Sequence, residues 1–124
     1  MHIGFTGTRK GMTDRQKETL ELLLRNTAMA DENNDKGYNL FHHGDATGAD
    51  TEAVEIAAKL EYGICAHVSA KNSEALLNRN MSIVDSCFLL IAAPYSLDEV
   101  VRSGTWHTIR YARRVGRPAI VLDP

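Results

Sequence analysis

The feature that most constrains this chain is an alternation of short apolar runs with longer segments of helical periodicity. The short runs predict strands at 2–6, 38–42, 64–68, 87–92 and 118–122. The longer segments predict helices at 13–30, 49–62, 73–85 (one helix or two short ones) and 105–115. Strands that alternate with helices predict an α/β fold, a Rossmann-like three-layer sandwich with a mainly parallel five-stranded sheet and helices on both faces.

Turn-forming and capping residues mark the element boundaries. Thr13 and Gln16 have the spacing of a capping box at the start of the first helix. Segment 31–37 is a predicted loop, and Gly63 and Gly116 are predicted to end the second and last helices. The inward face of the second helix is predicted to hold Ala53, Val54, Ala57, Ala58 and Leu60.

Composition limits the functional classes. A chain of 124 residues with 44% apolar and 24% charged residues suits a single globular domain spanning 1–124. The formal net charge of -2 gives no general attraction to nucleic acid or to an anionic membrane, so we expect no membrane partner and regard DNA as an improbable one. No apolar run reaches the roughly 20 residues of a membrane helix, and the first residues lack the pattern of a signal peptide, which predicts a cytoplasmic protein.

Cysteine and histidine spacing gives no metal motif. Cys65 and Cys87 lie in apolar segments without CxxC spacing and are predicted to be small core residues of a reduced protein. His42 and His43 are adjacent on a strand, so their side chains point to opposite faces and cannot chelate one ion together. We therefore expect no structural metal and no required cofactor, with Mg²⁺ accompanying ligand phosphates, near Asp45, as the one metal to consider.

Three glycine-containing loops fall where ligands bind in parallel sheets, beyond the carboxyl ends of strands. In the first, 4–9 (GFTGTR), Gly7 permits a sharp turn, Thr8 offers a hydroxyl and Arg9 can hold a phosphate in bidentate fashion. The alternative is a polar surface turn with a solvated arginine.

The second loop, 43–50 (HGDATGAD), places Gly44 and Gly48 directly before a helix, where free amides and the helix dipole can hold an anion or a sugar. A plain strand-to-helix turn is the alternative. Asp50 could favour the helix dipole or accept hydrogen bonds from neighbouring loop amides.

The third loop, 102–107 (RSGTWH), opens the last helix with a glycine and two hydroxyls, which suits a phosphate cradle. Trp106 could stack on a base or pack in the core. His107 could be an acid or base, or an ordinary surface histidine.

These loops, their order and the Arg79-Asn80 pair before the fourth strand resemble the SLOG superfamily, which groups the LOG proteins with the DprA/Smf proteins. The resemblance covers nearly the whole chain and is closest to the small stand-alone YspA-type branch of bacteria and phages. It implies a Rossmann-like fold whose pocket accepts nucleotides or nucleotide-derived ligands. The residues predicted to bind the ligand are Gly7, Thr8, Arg9, Gly44, Asp45, Gly48, Asp50, Arg79, Asn80, Ser103, Gly104 and Thr105.

Two departures from the LOG pattern bear on catalysis. The glutamate of the LOG Gly-Thr-x-x-Glu stretch is replaced by Thr108, and an aspartate that many relatives carry before the fourth strand is replaced by Phe88, with Asp85 nearby. Hydrolysis by the LOG route would therefore need another carboxylate near the sugar, and Asp45 and Asp50 are the candidate catalytic residues, ahead of Glu99.

The leading hypothesis is thus a nucleotide-binding module: a sensor, a carrier or a sequestering protein. The alternative is an N-glycosidic-bond hydrolase or transferase for nucleoside monophosphates, similar to the LOG phosphoribohydrolases. Binding of single-stranded DNA, by analogy with DprA, would use the one dense basic cluster, Arg110, Arg113, Arg114 and Arg117. The apolar residues at 20–24, together with the LOG resemblance, also suggest a homodimer.

Overall fold

A computed structural model describes residues 1–30 and 39–124. The predicted loop 31–37 and Tyr38, the first residue of the second predicted strand, lie outside the described residues. The elements are β1 (His2–Gly7), α1 (Asp14–Ala30), β2 (Leu40–His43), α2 (Ala49–Lys59), β3 (Gly63–Ala66), α3 (Ser73–Ser86), β4 (Leu89–Ala93), α4 (Gly104–Arg114) and β5 (Ala119–Val121).

The strands form one parallel sheet in the order β3-β2-β1-β4-β5, which confirms the predicted Rossmann-like α/β fold. The chain first moves outward from β1 to β3 and then returns to the other side of β1 with β4 and β5. The strand order therefore reverses between β1 and β4. Ligands of open parallel sheets bind beyond the carboxyl ends of the strands at such a switch point.

Apolar packing on both faces of the sheet holds this arrangement. Alternating residues of β1, including Ile3 and Phe5, pack with Leu20 and Leu24 of α1 and with the alanine face of α2. On the opposite face, Leu90 packs with residues of α3 and α4. Among the residues that the structure describes, no helix is both long enough and apolar enough to cross a membrane.

Two apolar segments, 20–24 of α1 and the predicted strand 87–92, are only partly buried in the structure. Leu20 and Leu24 are fully buried in the core, whereas Leu22 and Met29 of the same helix are 58% and 72% exposed; the homodimer stays a prediction. The strand predicted at 87–92 begins only at Leu89, and Phe88 before it is 61% exposed.

The end of α2 differs from the prediction. The helix ends at Lys59, Glu61 adopts the left-handed conformation (φ 66) expected of a terminating glycine, and Gly63 instead begins β3. The early ending lets buried Tyr62 donate its hydroxyl to the Leu24 carbonyl, 2.6 Å away, which ties the end of α2 to α1. Ala58, predicted to face inward, is exposed because it lies on the solvent side of the shortened helix.

The capping box at α1 is confirmed and also joins α1 to the sheet. The Thr13 hydroxyl accepts the Gln16 amide (3.0 Å), and the Gln16 side-chain oxygen accepts the Thr13 amide (3.1 Å). The Gln16 side-chain nitrogen donates to the carbonyls of Pro94 (2.9 Å) and Leu122 (3.2 Å). One buried side chain therefore caps the helix and also holds the segments that follow β4 and β5.

We predict that Gln16→Leu lowers the free energy of unfolding by about 1–3 kcal/mol for each of the two carbonyls left unpaired. Thr13→Ala, which removes only the cap, should cost about 1 kcal/mol. Urea denaturation of both variants measures the difference. Equal losses in the two variants would show that the two carbonyls do not depend on Gln16.

Candidate functional site

The carboxyl ends of β1 and β4 open into a cavity of about 620 Å³, within the usual range for small-molecule sites. The cavity is bordered by all three glycine-containing loops and by α3. The predicted binding residues that line it are Gly7, Thr8, Arg9, Gly44, Asp50, Arg79, Asn80, Ser103, Gly104 and Thr105. Asp45 lines a smaller neighbouring cavity of about 400 Å³.

The wall of the cavity depends on a close contact between the first two loops. The Thr8 carbonyl accepts the Ala49 amide at the start of α2 (3.0 Å), and the Thr8 amide donates to Ala93 at the end of β4 (3.0 Å). Gly48 has φ 76, and a side chain there would overlap the Arg9 backbone. The lack of a side chain at Gly48 therefore allows the two loops to touch. Gly48 itself does not line either cavity.

Asp50 organises the second loop from inside the protein. Its carboxylate is buried and accepts the amides of Gly44 (2.9 Å) and Ala46 (3.0 Å), which confirms the interpretation that it bonds neighbouring loop amides. His43 Nδ1 lies 3.4 Å from this carboxylate but accepts the Asp45 amide (3.0 Å), so it has no proton to donate to Asp50. The amides of Gly44 and Ala46 therefore already bond an internal anion and are not free for a ligand, and the binding of an anion or a sugar by this loop stays a prediction.

Few carboxylates are placed where glycosidic chemistry would need them. Among the described lining residues of the larger cavity, Asp50 is the only acidic one. Thr108, at the position of the LOG glutamate, is buried and donates its hydroxyl to the Gly104 carbonyl of its own helix (2.8 Å). Asp85 accepts the Tyr111 hydroxyl (2.7 Å) and Glu99 pairs with Arg113 (3.2 Å), both away from the cavity.

Positive charge comes to the cavity from two directions. Arg79 of α3 is half-buried; its Nη1 donates to the Gly44 carbonyl and its Nε to the Asn80 side chain (2.9 Å). Burial lowers the pKa of the Arg79 guanidinium, the charge of Asp50 raises it, and the charge of nearby Arg9 lowers it again. Arg9 and Arg79 both line the cavity, so an anion bound by both residues would be stabilised by both charges.

The start of α4 supplies free amides to the same cavity. The Ser103 side chain accepts the Trp106 amide (3.3 Å), and the Ser103 carbonyl accepts the His107 amide (2.9 Å). The amides of Gly104 and Thr105, at the first two positions of the helix, have no intrahelical acceptor, as is general at helix starts. Free amides and the helix dipole at a helix start favour an anion, and these two residues line the cavity together with Arg9 and Arg79.

The exposed aromatic side chain at the cavity is Tyr95, and Trp106 is not among the lining residues. Trp106 is 5% exposed, packs with Ala92 and Ile109, and donates its indole N–H to the Ser96 carbonyl (3.2 Å), which confirms the core interpretation. Exposed Tyr95 lines the cavity instead, beneath the ammonium of Lys10, which lies 4.2 Å from the ring centroid.

Other lining residues were not among the predicted binding residues: Leu76, Leu77, Val101, Arg102 and His107. The sequence signal that could have identified Val101 is the apolar pair Val100-Val101 directly before the third glycine-containing loop, and Val101 is 85% exposed in the structure. Burial, followed by the charges of Arg110 and Arg114, lowers the pKa of His107, which therefore favours the neutral imidazole at neutral pH.

We predict that Gly48→Ala destabilises the protein more than Gly116→Ala. Both glycines have φ 76, so each substitution incurs backbone strain of about 1–3 kcal/mol. A side chain at position 116 meets no atom within 4 Å, whereas one at position 48 overlaps the Arg9 backbone, which should add about 1–3 kcal/mol. Urea denaturation checks this, and equal losses would contradict the close contact of the two loops.

No family model and no curated protein matches this chain. Solved structures with a similar fold do match it. DNA processing protein A (DprA) from Streptococcus pneumoniae aligns with a TM-score of 0.72 and 16% identity over 97% of this chain and 49% of its own. DprA from Helicobacter pylori, described for its single-stranded DNA binding mode, aligns with a TM-score of 0.65 and 17% identity over 98% of this chain and 64% of its own.

The chain therefore shares the Rossmann-like fold of these DprA structures, and the fold that the resemblance implied is confirmed. It spans about half the length of the Streptococcus protein and less than two thirds of the Helicobacter protein.

The expectation that DNA is an improbable partner is wrong, because a protein with this fold, the Helicobacter DprA, binds single-stranded DNA. The expectation rested on the net charge of -2 and on the sequence having one dense basic cluster, neither of which reports how distant residues come together in the fold. Arg9, Arg79 and Arg102 come together at one cavity although they are far apart in the sequence. None of the basic cluster Arg110, Arg113, Arg114 and Arg117 lines that cavity.

Proposed function

We propose that this protein binds a phosphorylated nucleotide, or a ligand derived from one, in the 620 Å³ cavity and acts as a sensor, carrier or sequestering module. The observation that carries the proposal is the convergence of Arg9, Arg79 and the first amides of α4 at the point where the strand order reverses. Such a set provides charge-assisted and backbone donors for one anionic group.

The phosphate lies between the two arginines and the start of α4. Gly104 has no side chain there, so a phosphate oxygen can approach the amides of Gly104 and Thr105, and the Ser103 hydroxyl can still donate its proton. Arg79 is held by the Gly44 carbonyl and by Asn80, which fixes its guanidinium before the ligand arrives. This preorganisation reduces the entropy lost on binding.

The nucleoside lies against the apolar side of the cavity. Tyr95, Leu77 and Val101 are exposed in the free protein, and a base placed against them would cover apolar surface. The buried amide of Asn80 and the hydroxyl of Thr8 are available to a ribose. The proposal requires no cofactor; Mg²⁺ bound to the phosphates would meet Asp45 only at the neighbouring cavity.

We predict that Arg9→Gln and Arg79→Gln each weaken the binding of a nucleoside monophosphate by about 10- to 100-fold, the usual value of a charge-assisted hydrogen bond. The matched control is Arg25→Gln, which removes the same charge from α1, where Arg25 pairs with Glu21. Isothermal titration calorimetry with adenosine, guanosine, cytidine and uridine monophosphates measures these affinities.

Arg25→Gln should bind as the natural protein does. The proposal is overturned if none of the monophosphates binds and no oligonucleotide binds, or if the arginine substitutions at positions 9 and 25 have equal effects. The free nucleosides should bind more weakly than the monophosphates, because they lack the anionic group.

Single-stranded DNA is a second candidate ligand, favoured by the adjoining 400 Å³ cavity. The two cavities share Arg9, Gly44 and Arg79, and the smaller one adds Lys71 and Ser69. Together the two cavities are lined by the basic residues Arg9, Lys71, Arg79 and Arg102. The Helicobacter DprA, which shares the fold, is described as binding single-stranded DNA.

Lys71→Gln distinguishes the two ligands, because Lys71 lines the smaller cavity and not the larger one. If DNA crosses both cavities, this substitution weakens binding of a single-stranded oligonucleotide several-fold and leaves monophosphate binding unchanged. Oligonucleotide affinity should then fall steeply with salt, with a slope of about 0.7 per phosphate neutralised. Fluorescence anisotropy over a salt series measures both. An oligonucleotide that binds no more tightly than a monophosphate would rule out DNA as the ligand.

A further inference from the structure

A second group of chemically active side chains lies away from the nucleotide cavity, on the face of the sheet that packs against α3 and α4. His42 of β2 and Cys65 of β3 are register partners, so their side chains stand next to each other on the same face. His67 is two residues beyond Cys65 and shares this face, and its amide extends the pairing by donating to the His43 carbonyl (2.7 Å). None of the three residues lines the larger cavity.

The donor atoms of these side chains converge. His42 Nδ1 lies 2.8 Å from His67 Nε2, Cys65 Sγ lies 4.0 Å from the same Nε2, and the three atoms are all within 4.8 Å of one another. Zinc bonds of about 2.0–2.1 Å to nitrogen and about 2.3 Å to sulfur place tetrahedral ligand atoms about 3.3–3.7 Å apart. Small side-chain rotations would bring the three atoms to that spacing.

The remaining ring nitrogens are already held. His42 Nε2 lies 2.8 Å from His2 Nδ1, and His67 Nδ1 lies 2.9 Å from the Ser82 hydroxyl of α3. Metal-binding histidines almost always have the second ring nitrogen hydrogen-bonded in this way, which fixes the ring orientation. Here the arrangement directs His42 Nδ1 and His67 Nε2 toward each other and toward the Cys65 sulfur.

We propose that His42, Cys65 and His67 bind a divalent transition-metal ion of the zinc class, with a fourth coordination position open to water. Two imidazoles and one thiolate are the donors that Zn²⁺ prefers, and the absence of a carboxylate from the three argues against Mg²⁺ or Ca²⁺. Cys65 and His67 are only partly buried, so an ion can reach them from solvent.

This inference departs from the expectation of no structural metal. That expectation considered the spacing of cysteine and histidine along the chain, and positions 42, 65 and 67 have no zinc-like spacing. The pairing of β2 with β3 brings them together. Cys65 was also expected to be a core residue, but it faces this partly exposed group, whereas Cys87 is buried.

The competing account is that the imidazoles form a hydrogen-bonded chain, His2–His42–His67–Ser82, and bind no ion. The two accounts differ in the role of Cys65. If the group binds a metal ion, the Cys65 sulfur is a ligand. If the imidazoles form a hydrogen-bonded chain, Cys65 contributes nothing, because its sulfur lies 4.0 Å from the His67 nitrogen, at most a weak contact.

The test is a titration of the full chain, without an affinity tag, with Co²⁺ as the spectroscopic probe and Zn²⁺ as the competitor. We expect one Co²⁺ per chain, a thiolate-to-cobalt charge-transfer band, and displacement of the band by Zn²⁺. Cys65→Ala should abolish the band, His67→Ala should weaken binding by more than about 100-fold, and Ser82→Ala, which alters only the outer hydrogen bond, should weaken it by about 10-fold.

Cys87→Ser is the matched control, since it changes the other thiol and should leave the band in place. Circular dichroism of each variant confirms that it is folded. A charge-transfer band that persists in Cys65→Ala, or a natural protein that binds no stoichiometric Co²⁺, would overturn the proposal and favour the imidazole chain. The assay involves no nucleotide, so its outcome is independent of the proposed function.

Discussion

The reversal of strand order between β1 and β4 is the constraint on which the rest of the structure depends. It separates the loops that follow these neighbouring strands, because one leads to α1 on one face of the sheet and the other to α4 on the opposite face. The gap between the loops is the 620 Å³ cavity. The contact of the Thr8 carbonyl with the start of α2 then brings the second loop and Arg79 to the same opening.

The electrostatics of the cavity follow from which amides are already bonded. The Asp50 carboxylate accepts the amides of Gly44 and Ala46, so these two amides are not free for a ligand, and the Gly44 carbonyl of the same loop accepts Arg79. The start of α4 has no internal anion of this kind. Arg9, Arg79 and the start of α4 are therefore the groups that the proposed anionic ligand would meet in this cavity.

The elements and loops could be predicted from the sequence because they depend on local patterns. Hydrophobic periodicity gave the order of strands and helices, and the capping box at Thr13 gave the start of α1. The roles of Asp50 and Trp106 depend on tertiary packing, and sequence reasoning could only offer alternatives for each. The group at His42, Cys65 and His67 could not be predicted, because it depends on the register of β2 with β3.

The most direct test of the central claim is the pattern of backbone amide shifts in a ¹⁵N–¹H NMR titration with adenosine monophosphate, with adenosine as the comparison. If the phosphate lies at the start of α4, the amides of Gly104 and Thr105 shift in a saturable way with the monophosphate and much less with the nucleoside. Equal shifts with both ligands, or saturable shifts confined to α1 and the outer face of α2, would contradict the account.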